Sequence, residues 1–174
     1  MRLETARADT VRSVAFRMRE WDEREIYAGL FEDDPEELVD RVMAVAAHGP
    51  VAQVALIGAD PVCVFGAGFL SPVAVQVFAF ATNRFGEIAL PLTRYLKHRL
   101  FPAMAASGIT RGECRALCDH TEAIRWLKIL GAQEEAVCPH LGKNGETYVQ
   151  LAWSPSNVFF NPQTPARHSP ADGC

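Results

Sequence analysis

Two periods run through the hydrophobic positions of this chain, and each change of period marks an element. A helical period covers Ala8–Arg19, where Val11, Val14, Ala15 and Met18 share one face. It covers Trp21–Leu30 more weakly, a stretch rich in charge: Asp22, Glu23, Arg24, Glu25. Asp34-Pro35-Glu36-Glu37 starts a further helix with a cap, a first-turn proline and acids at the positive dipole end. That helix carries Leu38, Val39, Val42, Val45 and Ala46 and stops at Gly49-Pro50. The longest helix is expected over Glu87–Ser107, with Leu90, Leu92, Leu96, Leu100 and Met104 turned to the core. Pro91 falls in its first turn, where proline is tolerated, and Pro102 should kink its far end.

The other period is that of strands. Met1–Thr5 reads as a short strand. Val51–Ile57, Val62–Leu70 and Val73–Thr82 follow one another across Gly58-Ala59-Asp60-Pro61 and Ser71-Pro72. Connections this short predict an antiparallel meander. Val73–Thr82 is apolar on both faces, so it should be central and covered on both sides. Gly66 and Gly68 mark a bulge or a close backbone approach. Thr110–Leu117, Gln133–Cys138 and Glu146–Trp153 complete the set, and Asn144-Gly145 predicts a type I′ turn before the last strand.

Between two of these strands lies the most informative segment, residues 119–132. Asp119 is the expected N-cap, with Glu122 three residues on in a capping-box-like position. Ala123, Trp126, Leu127 and Leu130 recur on one face, and Gly131 stands where a left-handed C-terminal turn needs no Cβ. Trp126 and Leu127 read as core residues.

Composition narrows the function. The chain has 174 residues, 49% of them hydrophobic, enough for one domain with its own core. The net charge is −4 and no basic stripe is present, which argues against nucleic acid as a partner. Apolar runs break before the roughly 18–20 residues of a membrane span, and the first residues lack the apolar core of a signal peptide. Synthesis in the cytoplasm is expected, with no membrane partner. Of five cysteines, none forms a Cys-x-x-Cys pair. Free thiols in a reducing compartment explain them better than disulfides. Cys114, Cys118, His120, Cys138 and His140 are zinc-type ligands, but their spacing lacks tight knuckles, so no metal is expected.

The order is strand, two or three helices, three strands, long helix, strand, short helix, two strands. Over about residues 1–153 it resembles the GNAT N-acetyltransferase fold, and most closely the GNAT-like proteins of tailed bacteriophages, some of them virion components. The resemblance implies an α+β fold. Its centre would be a mixed, mostly antiparallel sheet of about seven strands flanked by helices.

The resemblance also implies a site. GNAT enzymes bind acyl-coenzyme A in a V-shaped split between the fourth and fifth strands. The loop after the fourth strand cradles the pyrophosphate in a Gln/Arg-x-x-Gly-x-Gly/Ala motif. Here that loop is Asn83, Arg84, Phe85, Gly86, Glu87 and Ile88. Only Gly86 matches. Glu87 puts a carboxylate where a diphosphate would sit, and Ile88 replaces a small residue. The loop is a degenerate acetyl-CoA cradle, and coenzyme A should bind weakly or not at all. The tyrosine that often protonates the leaving thiolate is replaced by Leu127, and the family's Asn by His120. Gln76, the one polar residue inside Val73–Ala81, cannot act as a base. Glu113 and His120 are therefore the candidate catalytic residues. Tyr27, Tyr95 and Tyr148 read as packing residues.

Residues 154–174 differ from the rest, with four prolines and almost no charge. They are read as a C-terminal arm outside the 1–153 domain, with Phe159 and Phe160 as a partner-binding anchor. The expectation from these features is a virion or assembly component that requires no cofactor. It would sit first in the host cytoplasm and then in the particle, against portal or tail proteins. The alternative is an active acetyl-CoA-dependent N-acetyltransferase of the bacterial cytoplasm, acting on a small-molecule or protein amine.

Overall fold

The structure, a computed structural model, describes residues 1–154; the expected arm with Phe159 and Phe160 lies outside the described residues. The elements are β1 (Arg2–Thr5), α1 (Ala8–Ala15), α2 (Glu20–Ala28), α3 (Pro35–His48), β2 (Val51–Ile57), β3 (Asp60–Ser71) and β4 (Ala74–Ala81). Then come α4 (Phe85–Tyr95), a π-helical turn (Leu96–Leu100), α5 (Phe101–Ala106), β5 (Arg111–Leu117), α6 (Thr121–Ile129), β6 (Gln133–Cys138) and β7 (Tyr148–Trp153). The strands form one seven-stranded sheet in the order β1-β2-β3-β4-β5-β7-β6. Only β4 and β5 run parallel; every other neighbouring pair is antiparallel.

Each face of the sheet buries its own core. Val11, Val14, Leu38, Val39 and Val42 of α1 and α3 pack with Val54, Val64 and Phe80 on one face. Ile88, Leu92, Leu96, Phe101 and Met104 pack with Val75, Leu151 and Trp153 on the other. The alternation of β2, β3 and β4 supplies both faces at once, which is why these strands read as nearly continuous apolar runs.

Gly66 is where two backbones come close. A Cβ there would lie 2.7 Å from Phe78 Cζ and 2.8 Å from the Val51 carbonyl oxygen. Gly68 has no such crowding; the β3–β4 ladder shifts register between Phe69 and Ser71, directly after it, and the β2–β3 ladder shifts at Ala55/Leu56. Because a backbone oxygen cannot step aside, Gly66→Ala should destabilise the domain by about 1–3 kcal/mol, read as a lower denaturation midpoint.

Several local expectations change in the folded chain. The long helix begins at Phe85 and is interrupted by the π-helical turn just before Pro102. Proline has no N–H to offer the turn before it, and the wider turn absorbs the mismatch. The first helix stops at Ala15, and Met18 bridges Thr82, so residues 16–19 lead into α2. Asp119 does not cap α6. His120 holds the cap position without a side-chain bond to the helix N-terminus, and Asp119 pairs with Arg24 at 2.7 Å. Gly131 does take the left-handed turn, at φ 97°.

The expected type I′ turn is also absent. Gly145 has φ 90° but Asn144 does not have positive φ, and Gly145 N–H donates to the Gly142 carbonyl. The loop instead docks on the helical layer, with Lys143 N–H donating to the Ala28 carbonyl and Lys143 Nζ pairing with Asp33. Tertiary contact outweighs the local preference of Asn-Gly there. β7 accordingly begins at Tyr148, not at Glu146.

Candidate active site

The parallel ladder between β4 and β5 is short. It joins Ala74 to Arg111, Val75 to Gly112 and Gln76 to Glu113, and beyond that the strands part. The direction of the freed backbone follows from strand alternation. Thr82 N–H points to β3, where the Val62 carbonyl accepts it, so Ala81 N–H points into the gap. Cys118 N–H points to β7, where the Thr147 carbonyl accepts it, so Leu117 N–H also points into the gap. Both are satisfied from α2. Asp22 Oδ2 accepts from Ala81 N–H at 2.7 Å, and Glu25 Oε2 accepts from Leu117 N–H at 2.8 Å. Asp22 and Glu25 are three residues apart and so share a helix face. α2 therefore acts as a wedge: its carboxylates take the place of the missing strand at both lips of the split. A cavity of about 340 Å³ occupies the gap.

One wall of that cavity is apolar, built by Phe85, Leu96, Phe101, Met104, Trp126 and Leu127. Trp126 meets Phe85 edge-on at 5.3 Å, and its indole N–H donates to Thr93 at 2.8 Å. Trp126 and Leu127 are half-buried at this wall, not enclosed in the core as expected. The opposite wall is polar and comes from α2 and the start of α6. Burial raises the Asp22 carboxyl above its ordinary value, opposed by the Arg19 guanidinium 2.9 Å away. Arg19 also lies over the Phe85 ring, and its buried Nε has no acceptor among the described residues.

His120 is the centre of the polar wall. It is 3% exposed, borders the cavity, and its Nδ1 lies 3.0 Å from Glu25 Oε2. A carboxylate partner assigns the proton to Nδ1 and leaves the Nε2 lone pair free. Trp21 stacks on the ring at 5.1 Å. Tyr148 is committed elsewhere. Its hydroxyl donates to the Glu25 carbonyl at 2.6 Å, and burial pushes its pKa up to about 12. The Cys114 thiol, which borders the cavity, is likewise pushed by burial to about 12 and is no nucleophile.

The second expected catalytic residue stands apart. Glu113 accepts from Gln150 at 2.6 Å and Arg111 at 3.0 Å, and it does not border the cavity. Glu25 was missed because it sits in a charged helix that reads as a solvated one. The available signal was Asp22 and Glu25 on one face beside Trp21. Among the described residues no three His, Cys, Asp or Glu side chains gather as metal ligands. No helix among them is long and apolar enough to cross a membrane.

The β4–α4 loop tests the fit of acetyl-CoA. Ile88 is 1% exposed with its side chain in the core, so it does not block the helix start as the sequence suggested. A Cβ on Gly86 would meet nothing within 4 Å, which leaves room for a ligand against the backbone. The anion chemistry is poorer. Arg84, N–H and guanidinium alike, is occupied: Nη1 on Asp60 at 2.7 Å, Nε on Glu87 at 2.7 Å, N–H on Thr82 Oγ1 at 3.3 Å. Phe85 and Glu87 N–H groups donate within the loop. Asn83 is exposed. The split has an apolar wall and a cavity, while an anion at the loop would meet a partly self-satisfied cradle. Coenzyme A should therefore bind with a dissociation constant above roughly 100 μM, near −5.5 kcal/mol. Glu87→Gln removes the opposing carboxylate and frees Arg84 Nε and Nη2 from it, with Nη1 still on Asp60, so calorimetry should show tighter binding in that variant.

Solved structures carry the same architecture. A ribosomal-protein-alanine N-acetyltransferase from Brucella melitensis superposes with a TM-score of 0.70 at 11% identity, over 88% of this chain and 99% of that one. This is the GNAT fold. A phosphinothricin acetyltransferase from Sinorhizobium meliloti, solved in complex with acetyl-CoA, gives 0.68 at 17% identity over 95% and 93%. An N-acetyltransferase from Staphylococcus aureus gives 0.70 at 9% identity over 88% and 97%. No protein-family model and no curated protein matches the chain.

Proposed function

We propose that this GNAT-fold chain is an acetyl-CoA-dependent N-acetyltransferase acting on a small-molecule or protein amine. The observation that carries the reading is the Glu25–His120 pair on the wall of the β4–β5 split. Structures of the same fold named as N-acetyltransferases, one with acetyl-CoA bound, support it. The assembly role expected from the arm has no support from the described residues or the comparisons.

The donor supplies an activated acetyl thioester. The open edges of β4 and β5 between the Asp22 and Glu25 contacts offer backbone groups to an extended amide chain, as a sheet edge does to an added strand. The apolar wall at Phe85 and Trp126 excludes water from that arm. On the other wall, Glu25 holds His120 in the tautomer that accepts at Nε2, so the imidazole can take a proton from an ammonium or from the attacking amine. Arg19 Nε offers a buried donor to an oxygen placed in the cleft. Among the described residues no side chain stands ready to protonate a thiolate. Leu127 cannot, the Trp126 N–H is not titratable, and Tyr148 is committed, so solvent supplies that proton.

The test is release of coenzyme A thiol at millimolar acetyl-CoA with and without an amine panel. Amine-dependent release is the expected result. Release that is absent, or that does not depend on the amine, overturns the reading.

A further inference from the structure

On the side of the sheet that carries α2, β5 and β7 present a row of linked polar side chains. Arg111 pairs with Glu113 at 3.0 Å, Gln150 Nε2 donates to Glu113 at 2.6 Å, and Arg115 Nε donates to Gln150 Oε1 at 2.9 Å. The direction of this chain is fixed. Glu113 can only accept, so Gln150 must turn its amide NH₂ toward it, and its oxygen is left for Arg115. Arg115 is thus held at Nε while its two outer nitrogens have no carboxylate partner among the described residues. It borders the cavity and is exposed. The other arginine of the cavity, Arg19, is already paired with Asp22.

The position of Arg115 relative to the base follows from the strand. Arg115 pairs with Gln150 and Leu117 with Tyr148, so these four side chains share one face, the face on which Tyr148 meets Glu25. Arg115 and Leu117 are two residues apart, about 6.6 Å along a strand. Leu117 N–H is bound by the same Glu25 oxygen that holds His120. A proton acceptor and a guanidinium whose outer nitrogens lack a carboxylate partner therefore border the same cavity. A guanidinium fork matches a carboxylate through two parallel hydrogen bonds.

Building on the acetyl-transfer reading, we infer that the acceptor is an amine bearing a nearby carboxylate, of the α-amino acid type, with Arg115 as its carboxylate anchor and His120 at its amine. Arg115 sets specificity and takes no part in proton transfer. A simple amine leaves the fork unpaired and gains nothing from it.

Two measurements test this, one independent of the donor. In calorimetry, N-acetyl-L-phenylalanine should bind more tightly than N-acetyl-L-phenylalaninamide by about 10-fold to 100-fold, the range of a charge-assisted hydrogen bond. The aromatic series suits a cleft bordered by Leu141, Phe85 and Trp126. Arg115→Gln should abolish the preference and Arg115→Lys should keep part of it. In thiol release, L-phenylalanine should have a lower KM than 2-phenylethylamine, and Arg115→Gln should raise the KM for L-phenylalanine alone. Equal binding of acid and amide, or a preference that survives Arg115→Gln, overturns the proposal. If the preference is present but no amine is acetylated, the carboxylate site stands and the acetyl-transfer reading falls. If amines are acetylated without regard to the carboxylate, the acetyl-transfer reading stands and this proposal falls.

Discussion

Replacing His120 with alanine should lower amine-dependent thiol release by about 10²-fold to 10⁴-fold, the usual contribution of a positioned general base. The prediction rests on where the imidazole is held. Glu25 binds Nδ1 at 3.0 Å, Trp21 stacks on the ring, and Nε2 has no hydrogen bond among the described residues. Among the described residues no other side chain on the polar wall can replace it. Asp22 is spent on Ala81 N–H and Arg19, and Tyr148 on the Glu25 carbonyl. The fold should survive the change, because Glu25 keeps its bond to Leu117 N–H. The thermal transition of His120→Ala should therefore stay cooperative while the rate falls. Glu25→Gln should give a smaller loss of rate, since a glutamine oxygen can still accept from Leu117 N–H while the carboxylate that orients the imidazole is lost. A His120→Ala protein that keeps its rate within threefold of the unmodified chain would show that the base lies elsewhere.

Trp153→Ala should cost the domain about 3–5 kcal/mol, the range for deleting a buried tryptophan ring. Trp153 ends β7 at 2% exposure, packs against Phe101 at 5.5 Å, and donates from its indole N–H to the Leu130 carbonyl at 3.0 Å. Across the ladder it faces Gly112, where a Cβ would lie in van der Waals contact with the ring at 3.4 Å. Removing the ring opens a cavity beneath α5 and leaves a buried carbonyl without its donor. For a domain of this size the melting temperature should fall by roughly 6–20 °C. Trp126→Ala should cost clearly less, because that ring is half-buried at the cleft wall. Thermal denaturation of the two variants side by side decides the ranking. Equal losses would mean that the cleft wall is as enclosed as the core.

The two tryptophans show where sequence patterning ends. Trp126 stands on a clear helical face that reads as core; Trp153 closes a strand whose pattern does not single it out. A periodic pattern tells which face of an element turns inward. It does not tell whether the inward side meets a closed core or the mouth of a cleft. That depends on what the neighbouring strands do, and here β4 and β5 part. Ile88 shows the same limit with the opposite sign. Its bulk seemed to obstruct an anion site, but the helix turn carries its side chain into the core.

Much of the architecture was legible because it is written in short-range terms. Strand alternation, the Asp34-Pro35 start of α3, the break at Gly49-Pro50 and the left-handed Gly131 each act over a few residues. Seven strands and the helices between them, taken in order, were enough to indicate the fold. The functional centre is not local. Glu25 and His120 are 95 positions apart, and Asp22 meets Ala81 across 59. In the sequence, α2 is only a charged helix with a weak apolar face. Its acids gain their purpose when the parting of two parallel strands frees backbone N–H groups at Ala81 and Leu117. Burial makes those groups costly to leave unpaired, and the carboxylates of α2 are placed to take them. Sequence determined the elements and their order. The tertiary structure decided which carboxylate holds the histidine, because only the split between β4 and β5 brings them together.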